Sequence, residues 1–244
     1  MIEPGYNKPK NHEAGRKWVE LVARVEGPLV LALNVLFATD WYSETSERLT
    51  HGVDVIPTGT GDVCGQVVPS GPGFAEENNL RLFTTLIYSA QRRISIVSPY
   101  FVPDESLLYA VTTAAQRGVE VELFVSAEGD QFMVWHAQRS YYEALLRAGV
   151  RIWLYPAPFV LHAKFFSIDD DVAVLGSSNM DMRSFALNYE VSLMLLGAES
   201  VATMRAVQDT YRAMCAELTL DEWVSRGRKA TYVDNVMRLT AALQ

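Results

Sequence analysis

The sequence predicts an α/β fold, with a mixed β-sheet layered by helices on both faces. Three observations carry this. From residue 79 onward, short apolar runs alternate with helix-length segments, which is the pattern of a layered sheet. Two helical segments end at glycines, Gly118 and Gly149, and a β-rich run follows each at once. Two further apolar runs flank Asp169-Asp170-Asp171 and read as a hairpin-like pair, which makes the sheet mixed rather than all parallel.

The elements follow in order. Residues 1–17 are polar and read as irregular. Val19 to Val25 alternates loosely and predicts a strand. Gly27-Pro28 opens a helix to about Arg48, with proline in its first turn. Residues 49–62 carry Gly, Pro and Thr and read as a loop. Cys64 to Val68 predicts a short strand, stopped by Pro69-Ser70-Gly71-Pro72-Gly73. A helix over Asn79 to Arg92 precedes an apolar strand, Ile94 to Val97. Asp104 caps a helix running to Gln116, and Val119 to Val125 forms the next strand. Asp130 to Leu146 predicts one helix and Val150 to Leu154 one strand. Lys164 to Ile168 pairs with Val172 to Leu175, Tyr189 to Leu196 adds a strand, and Ser200 to Glu217 closes the fold as a helix. Residues 1–62 form an N-terminal segment, and residues 63–244 form the domain that carries the chemistry.

Composition narrows the function. The chain has 244 residues, 49% of them hydrophobic, enough for a full core. Its net charge of -8 argues against a generic nucleic-acid binder, and no nucleic acid is expected as a partner. Cys64 and Cys215 form no disulfide framework. The four histidines, His12, His51, His136 and His162, are scattered without cysteine partners, so no metal site is expected. The longest apolar run, Pro28 to Thr39, is shorter than the ~18–20 residues that span a bilayer and reads as a core helix. Any membrane contact is therefore expected to be peripheral.

One stretch is chemically pointed. His162 and Lys164 lie two apart, Asp169 follows after four more residues, and Gly176-Ser177-Ser178-Asn179 comes shortly after. Residues two apart on an extended segment face the same side. A histidine can attack or protonate a phosphate there while the lysine neutralises it. With four His, five Lys and twelve Asp in the chain, the His-x-Lys-x4-Asp spacing arises by chance roughly 0.004 times per sequence of this composition. It occurs once.

This pattern resembles the HKD motif of the phospholipase D superfamily. The similarity extends to Arg24-Val25-Glu26-Gly27-Pro28, Phe37-Ala38-Thr39-Asp40-Trp41-Tyr42, Ser98-Pro99-Tyr100-Phe101-Val102-Pro103-Asp104 and the run from Gly176 to Glu190. These look like the bacterial cardiolipin synthase branch, in its C-terminal half. Enzymes of that branch carry two such motifs, paired about a pseudo-twofold axis. The resemblance therefore implies that a second wall of the site comes from another copy of this chain or from a missing N-terminal half, residues 1–26 being similar to the segment after the first motif.

The resemblance implies roles as well. His162 is the catalytic histidine, with its counterpart in the other motif sharing the nucleophile and acid/base tasks. Lys164 binds non-bridging phosphate oxygens, and Asn179 and Ser177 add neutral donors. Asp169 completes the motif, a position the family often uses structurally. Glu190 orients a catalytic histidine. Tyr100 lines the mouth, and Arg183 is a candidate for a headgroup. His136 reads as a core or partly exposed histidine, and Trp41, Trp135 and Trp153 as packing.

The expected activity is phosphatidyl transfer between phosphatidylglycerols by way of a phosphohistidine, with no cofactor and an anionic phospholipid as partner. Two alternatives stand beside it: a phospholipase D-type phosphodiesterase that uses water, and a catalytically silent half-domain that needs a partner. The expected location is the cytoplasmic face of a bacterial membrane.

Overall fold

The computed structural model describes residues 9–49, 59, 61–74 and 76–240. A short helix α1 (Pro9–Glu13) and strand β1 (Lys17–Val19) precede the long helix α2 (Leu29–Thr45) and strand β2 (Cys64–Ser70). The middle of the chain runs α3 (Asn78–Ser89), β3 (Arg93–Val97), β4 (Phe101–Val102), α4 (Glu105–Gln116), β5 (Glu120–Ser126), α5 (Phe132–Arg139), α6 (Tyr142–Ala148) and β6 (Arg151–Tyr155). Then come β7 (Phe159–Leu161), β8 (Phe165–Ile168), β9 (Val172–Gly176), β10 (Met180–Asp181), α7 (Met182–Ala186), β11 (Glu190–Leu196), α8 (Ala198–Met214), β12 (Ala216–Leu218), α9 (Leu220–Val224) and α10 (Arg228–Arg238).

Eight strands form one mixed sheet in the order β12-β6-β5-β3-β8-β9-β11-β2. β3, β5 and β6 are parallel neighbours, whereas β8, β9, β11 and β2 continue antiparallel. The central strands read as unbroken apolar runs because both faces are covered. Ile94, Ile96, Leu123, Ile152 and Phe166 point into one core with Phe83 of α3, Leu107 of α4 and Tyr142 of α6. Phe124, Phe165, Ala173 and Leu175 point into the other, against Val201, Met204 and Tyr211 of α8. The Asp104 cap is present, its carboxylate accepting the Leu107 N–H at 2.9 Å.

Several boundaries differ from the sequence reading. The strand expected over 19–25 pairs only at 17–19, parallel to β7, and beyond Val19 the chain runs along a cavity instead of a neighbouring strand. β2 extends through Pro69, which an edge strand tolerates because its missing N–H can face outward. The helix expected over 130–146 is two helices, α5 and α6. They break at Ser140, whose hydroxyl donates to the Ala137 carbonyl. The closing helix stops at Met214, and β12 then joins the sheet edge beside β6. The loop read for 49–62 lies outside the described residues apart from 49, 59, 61 and 62.

One difference matters for function. The apolar run read as a core helix forms α2, and not one of its residues is buried. It rests on the edge strand β2, and among the described residues Phe37, Val35 and Trp41 stay exposed.

Gly176 ends β9 against β11, where an added Cβ would collide with the Val191 carbonyl and Ser192 Cα. Gly176→Ala is therefore expected to cost about 1–3 kcal/mol, seen as a lower urea midpoint with an unchanged m-value.

Candidate functional site

His162 sits just beyond β7, where the chain is pinned from two sides. The backbone N–H groups of His162 and Ala163 both donate to the Val19 carbonyl, at 2.9 and 3.0 Å. The Leu161 N–H donates to Ser126 Oγ at 2.8 Å. The parallel β1–β7 pairing thus fixes the peptide that presents the ring. Glu20, the residue after β1, reaches the same ring, with its Oε1 2.8 Å from His162 Nδ1. Lys164 Nζ donates to the His162 carbonyl at 2.8 Å and lies 3.3 Å from His162 Nε2.

These groups open into a cavity of about 660 Å³ whose lining includes Tyr100, Ser177, Asn179 and Glu190 as well as Glu20, His162 and Lys164. Three loops contribute, each at the end of a strand, where ligand sites of layered α/β sheets collect. Tyr100 donates its hydroxyl to Asp130 at 2.8 Å. Glu190 accepts the Ser177 hydroxyl and, at 3.3 Å, the Asn188 amide. Behind Asn179, the buried Asp181 accepts the Ser184 N–H at 2.7 Å and starts α7.

Burial sets the electrostatics. It pushes the His162 imidazole below its ordinary value, the Lys164 charge adds to that, and Glu20 opposes both. It brings the Lys164 ammonium down to about 8, against the pull of Glu20, Glu190, Asp181 and Asp130. Burial also raises the carboxyls of Asp181 and Glu190. The site holds a neutral imidazole beside an ammonium within reach of several acids. Such a pocket can accept an anion whose charge replaces that of the carboxylates.

The structure gathers His162, Lys164, Ser177, Asn179, Glu190 and Tyr100. It does not gather Asp169 or Arg183. Asp169 lies at the far end of β8 from Lys164, roughly 13–16 Å along the strand. Its carboxylate accepts the backbone N–H groups of Gln91, Arg92 and Arg93 at 2.8–2.9 Å. Burial pushes its carboxyl up, and those three donors outweigh the burial and hold it down. It ties the α3–β3 turn to the hairpin, and the motif spacing reflects that tie. Arg183 is exposed and reaches Asn188 at 3.4 Å. His136 pairs with the buried Asp234 at 2.6 Å, which joins α10 to α5.

The carboxylate on His162 is Glu20, while Glu190 bonds Ser177 and Asn188 in the same cavity. Sequence reasoning missed Glu20 because it lies 142 residues from its partner. Asp130 was missed likewise; only its place at a predicted helix start marked it.

The family model for "Cardiolipin synthase, PLD-like domain" matches residues 83–211, more than half of the chain and both strands that flank the site. The chain belongs to this family. It is similar to cardiolipin synthase A of Serratia proteamaculans, 38% identical over 232 residues, covering 93% of this chain and 47% of that protein. Cardiolipin synthase A of Yersinia pseudotuberculosis is 37% identical over the same coverage. The chain thus spans about half the length of these relatives. Among solved structures, phosphatidylserine synthase of Haemophilus influenzae superposes with TM-score 0.58 at 16% identity, covering 86% of this chain and 52% of that one. Nuc of Salmonella typhimurium, a phospholipase D family member, superposes with TM-score 0.55 at 18% identity, covering 65% of this chain and 99% of its own. Both show the shared fold. Among the described residues, no helix is long and apolar enough to cross a membrane, and no cluster of His, Cys, Asp and Glu could hold a metal ion.

Proposed function

We propose that this PLD-like chain supplies one wall of a phosphatidyltransferase site of the cardiolipin synthase type, acting on an anionic phospholipid resembling phosphatidylglycerol. The observation that carries it is the His162–Lys164 pair facing one cavity, with Glu20 on Nδ1 so that Nε2 is the nitrogen that reacts. Lys164 neutralises the non-bridging phosphate oxygens, and Asn179 and Ser177 add donors.

The second wall supplies a second histidine. Glu190 supports this, since Glu20 already holds His162 and a further carboxylate lines the same cavity. Its natural partner is a histidine from another copy of this chain or from another half. One histidine attacks phosphorus and the P–O bond to glycerol breaks. The other gives its proton to the leaving alkoxide, then takes a proton from the acceptor hydroxyl as that oxygen displaces the first histidine. Because burial favours the neutral imidazole, the Nε2 lone pair of His162 suits the attack on phosphorus; in the acid role the ring must first be protonated. With water as acceptor, the same steps hydrolyse the phosphodiester.

The test is a stopped reaction with phosphatidylglycerol labelled in its phosphate. An acid-labile, base-stable label on the protein supports the phosphohistidine route, and turnover without it overturns that route. Rate should rise with pH through the lowered His162 pKa, as the imidazole loses its proton. It should fall as pH rises through about 8, as the Lys164 ammonium loses its own. Glu20→Gln removes the charge that favours the imidazolium. It should shift the acid limb to lower pH and cut kcat by roughly 10²–10⁴-fold; an unmoved limb would remove Glu20 from the site's chemistry. Membrane attachment, which the substrate requires, is peripheral in this reading and at the cytoplasmic face.

A further inference from the structure

We propose that an apolar trough beside the phosphate cavity holds an acyl chain of the phospholipid whose phosphate sits at His162 and Lys164. This rests on the phosphate-site reading above and adds where the lipid tail goes. The trough has a volume of about 700 Å³ and runs between α2, the β2–β11 edge and α8. Its apolar lining includes Val25, Leu29, Ala32, Leu195 and Met204.

Continuity with the phosphate cavity is the first argument. Ala23, Val25 and Leu193 line both spaces, so they meet along the extended segment that follows Glu20. One end presents an ammonium, an imidazole and amide donors, and the other presents aliphatic side chains. That polarity matches an amphiphile with a phosphate head and a hydrocarbon tail, and the volume is within the range of ligand pockets.

The second argument is α2. The first three turns of α2 are apolar on nearly all sides and such a surface is normally covered, yet no residue of α2 is buried among the described residues; its charges, Asp40 and Glu44, lie toward its far end from the trough. Its foot is seated: an added Cβ at Gly65 would lie 3.0 Å from both Leu29 and Leu195, so these two close over the β2 backbone. Three charged residues also line the trough: Arg24 and Glu26, which pair with each other at 2.7 Å, and Glu199 at the start of α8.

Dihexanoyl phosphatidylglycerol and its deacylated form, glycerophosphoglycerol, separate tail from head. Both are titrated calorimetrically against the whole chain, and maleimide alkylation of Cys64, an exposed thiol in the trough lining, is timed in parallel. Cys215 stays silent because burial pushes its thiol up to about 12. The diacyl ligand should bind about tenfold tighter or better and slow Cys64 alkylation about fivefold, whereas the deacylated form should leave it unchanged. Ala32→Trp from α2, or Thr203→Trp from α8, should erase the diacyl advantage and keep glycerophosphoglycerol affinity. Lys164→Met should weaken both ligands.

Equal binding without protection of Cys64 overturns the acyl site and leaves the phosphate reading standing. Binding of neither overturns both. Protection that survives Lys164→Met, or that rises with protein concentration in step with a dimer seen by sedimentation and no lipid present, also overturns the proposal. The latter assigns the trough to a second copy of the chain.

Discussion

Replacing His162 with alanine is expected to lower phosphatidyl transfer by more than about 10³-fold, since in the proposed reaction that ring carries either the covalent step or the proton transfers. The folded state should hardly change. The ring touches Glu20 and Lys164 at the cavity and belongs to neither hydrophobic core. Equal Tm values for the variant and the parent, with turnover lost, separate chemistry from stability. His162→Ala should also leave affinity for glycerophosphoglycerol largely in place, because Lys164 carries the charge that holds phosphate. Residual activity within about tenfold of the parent would end the transferase reading for this pocket. A loss of activity steeper than the fraction of His162→Ala chains mixed into the parent would place the second histidine on another copy.

The second large effect is on stability. Glu122 of β5 is fully buried and gathers Arg93 and Arg212 at 2.7 Å, with the Trp153 indole N–H donating at 3.0 Å. Burial pushes its carboxyl up, and the two guanidinium groups more than reverse that, holding it below its usual value. Glu122→Ala leaves Arg93 and the Trp153 indole without their carboxylate, and Arg212 with Asp209 alone, around an empty space. Losing one partner of a fully buried pair costs about 3–5 kcal/mol. The side chains of Arg93 and Arg212 are 26% and 23% exposed, so water offsets part, and about 3 kcal/mol is expected. The sign with pH follows: a carboxyl depressed in the fold stabilises above its unfolded value near ~4.3 and loses that contribution as pH falls through the folded one. The acid limb of the urea-midpoint profile should therefore flatten in Glu122→Ala. A shift below about 1 kcal/mol would mean that solvent replaces the carboxylate at no cost. Glu122 lies away from the cavity, in the strand whose end, Ser126, holds the Leu161 N–H, so affinity for phosphate should persist below the new Tm.

The catalytic face of the site was legible where its parts are close in sequence. His162 and Lys164 share a side because an extended chain alternates, and Ser177 and Asn179 join them because β8 and β9 form a hairpin. Asp169 shows the limit of spacing. It belongs to the same signature but lies at the other end of a strand, bound to backbone N–H groups. The C-terminal helices went unread although Thr219 and Glu222 spell a capping box that the structure contains. The α5–α6 break had no such mark, since Ser140 and Tyr141 are compatible with a continuous helix.

By itself, the sequence determined the layered α/β class, the central strands and the grouping of His162, Lys164 and Asn179 at one cavity, because local periodicity and short spacings encode them. Only the tertiary structure decided that Glu20 holds His162, that Glu190 lines the same cavity on Ser177 and Asn188, and that no residue of the apolar α2 is buried among the described residues. Those facts depend on which distant segments the sheet order brings side by side, and residue spacing carries no record of that.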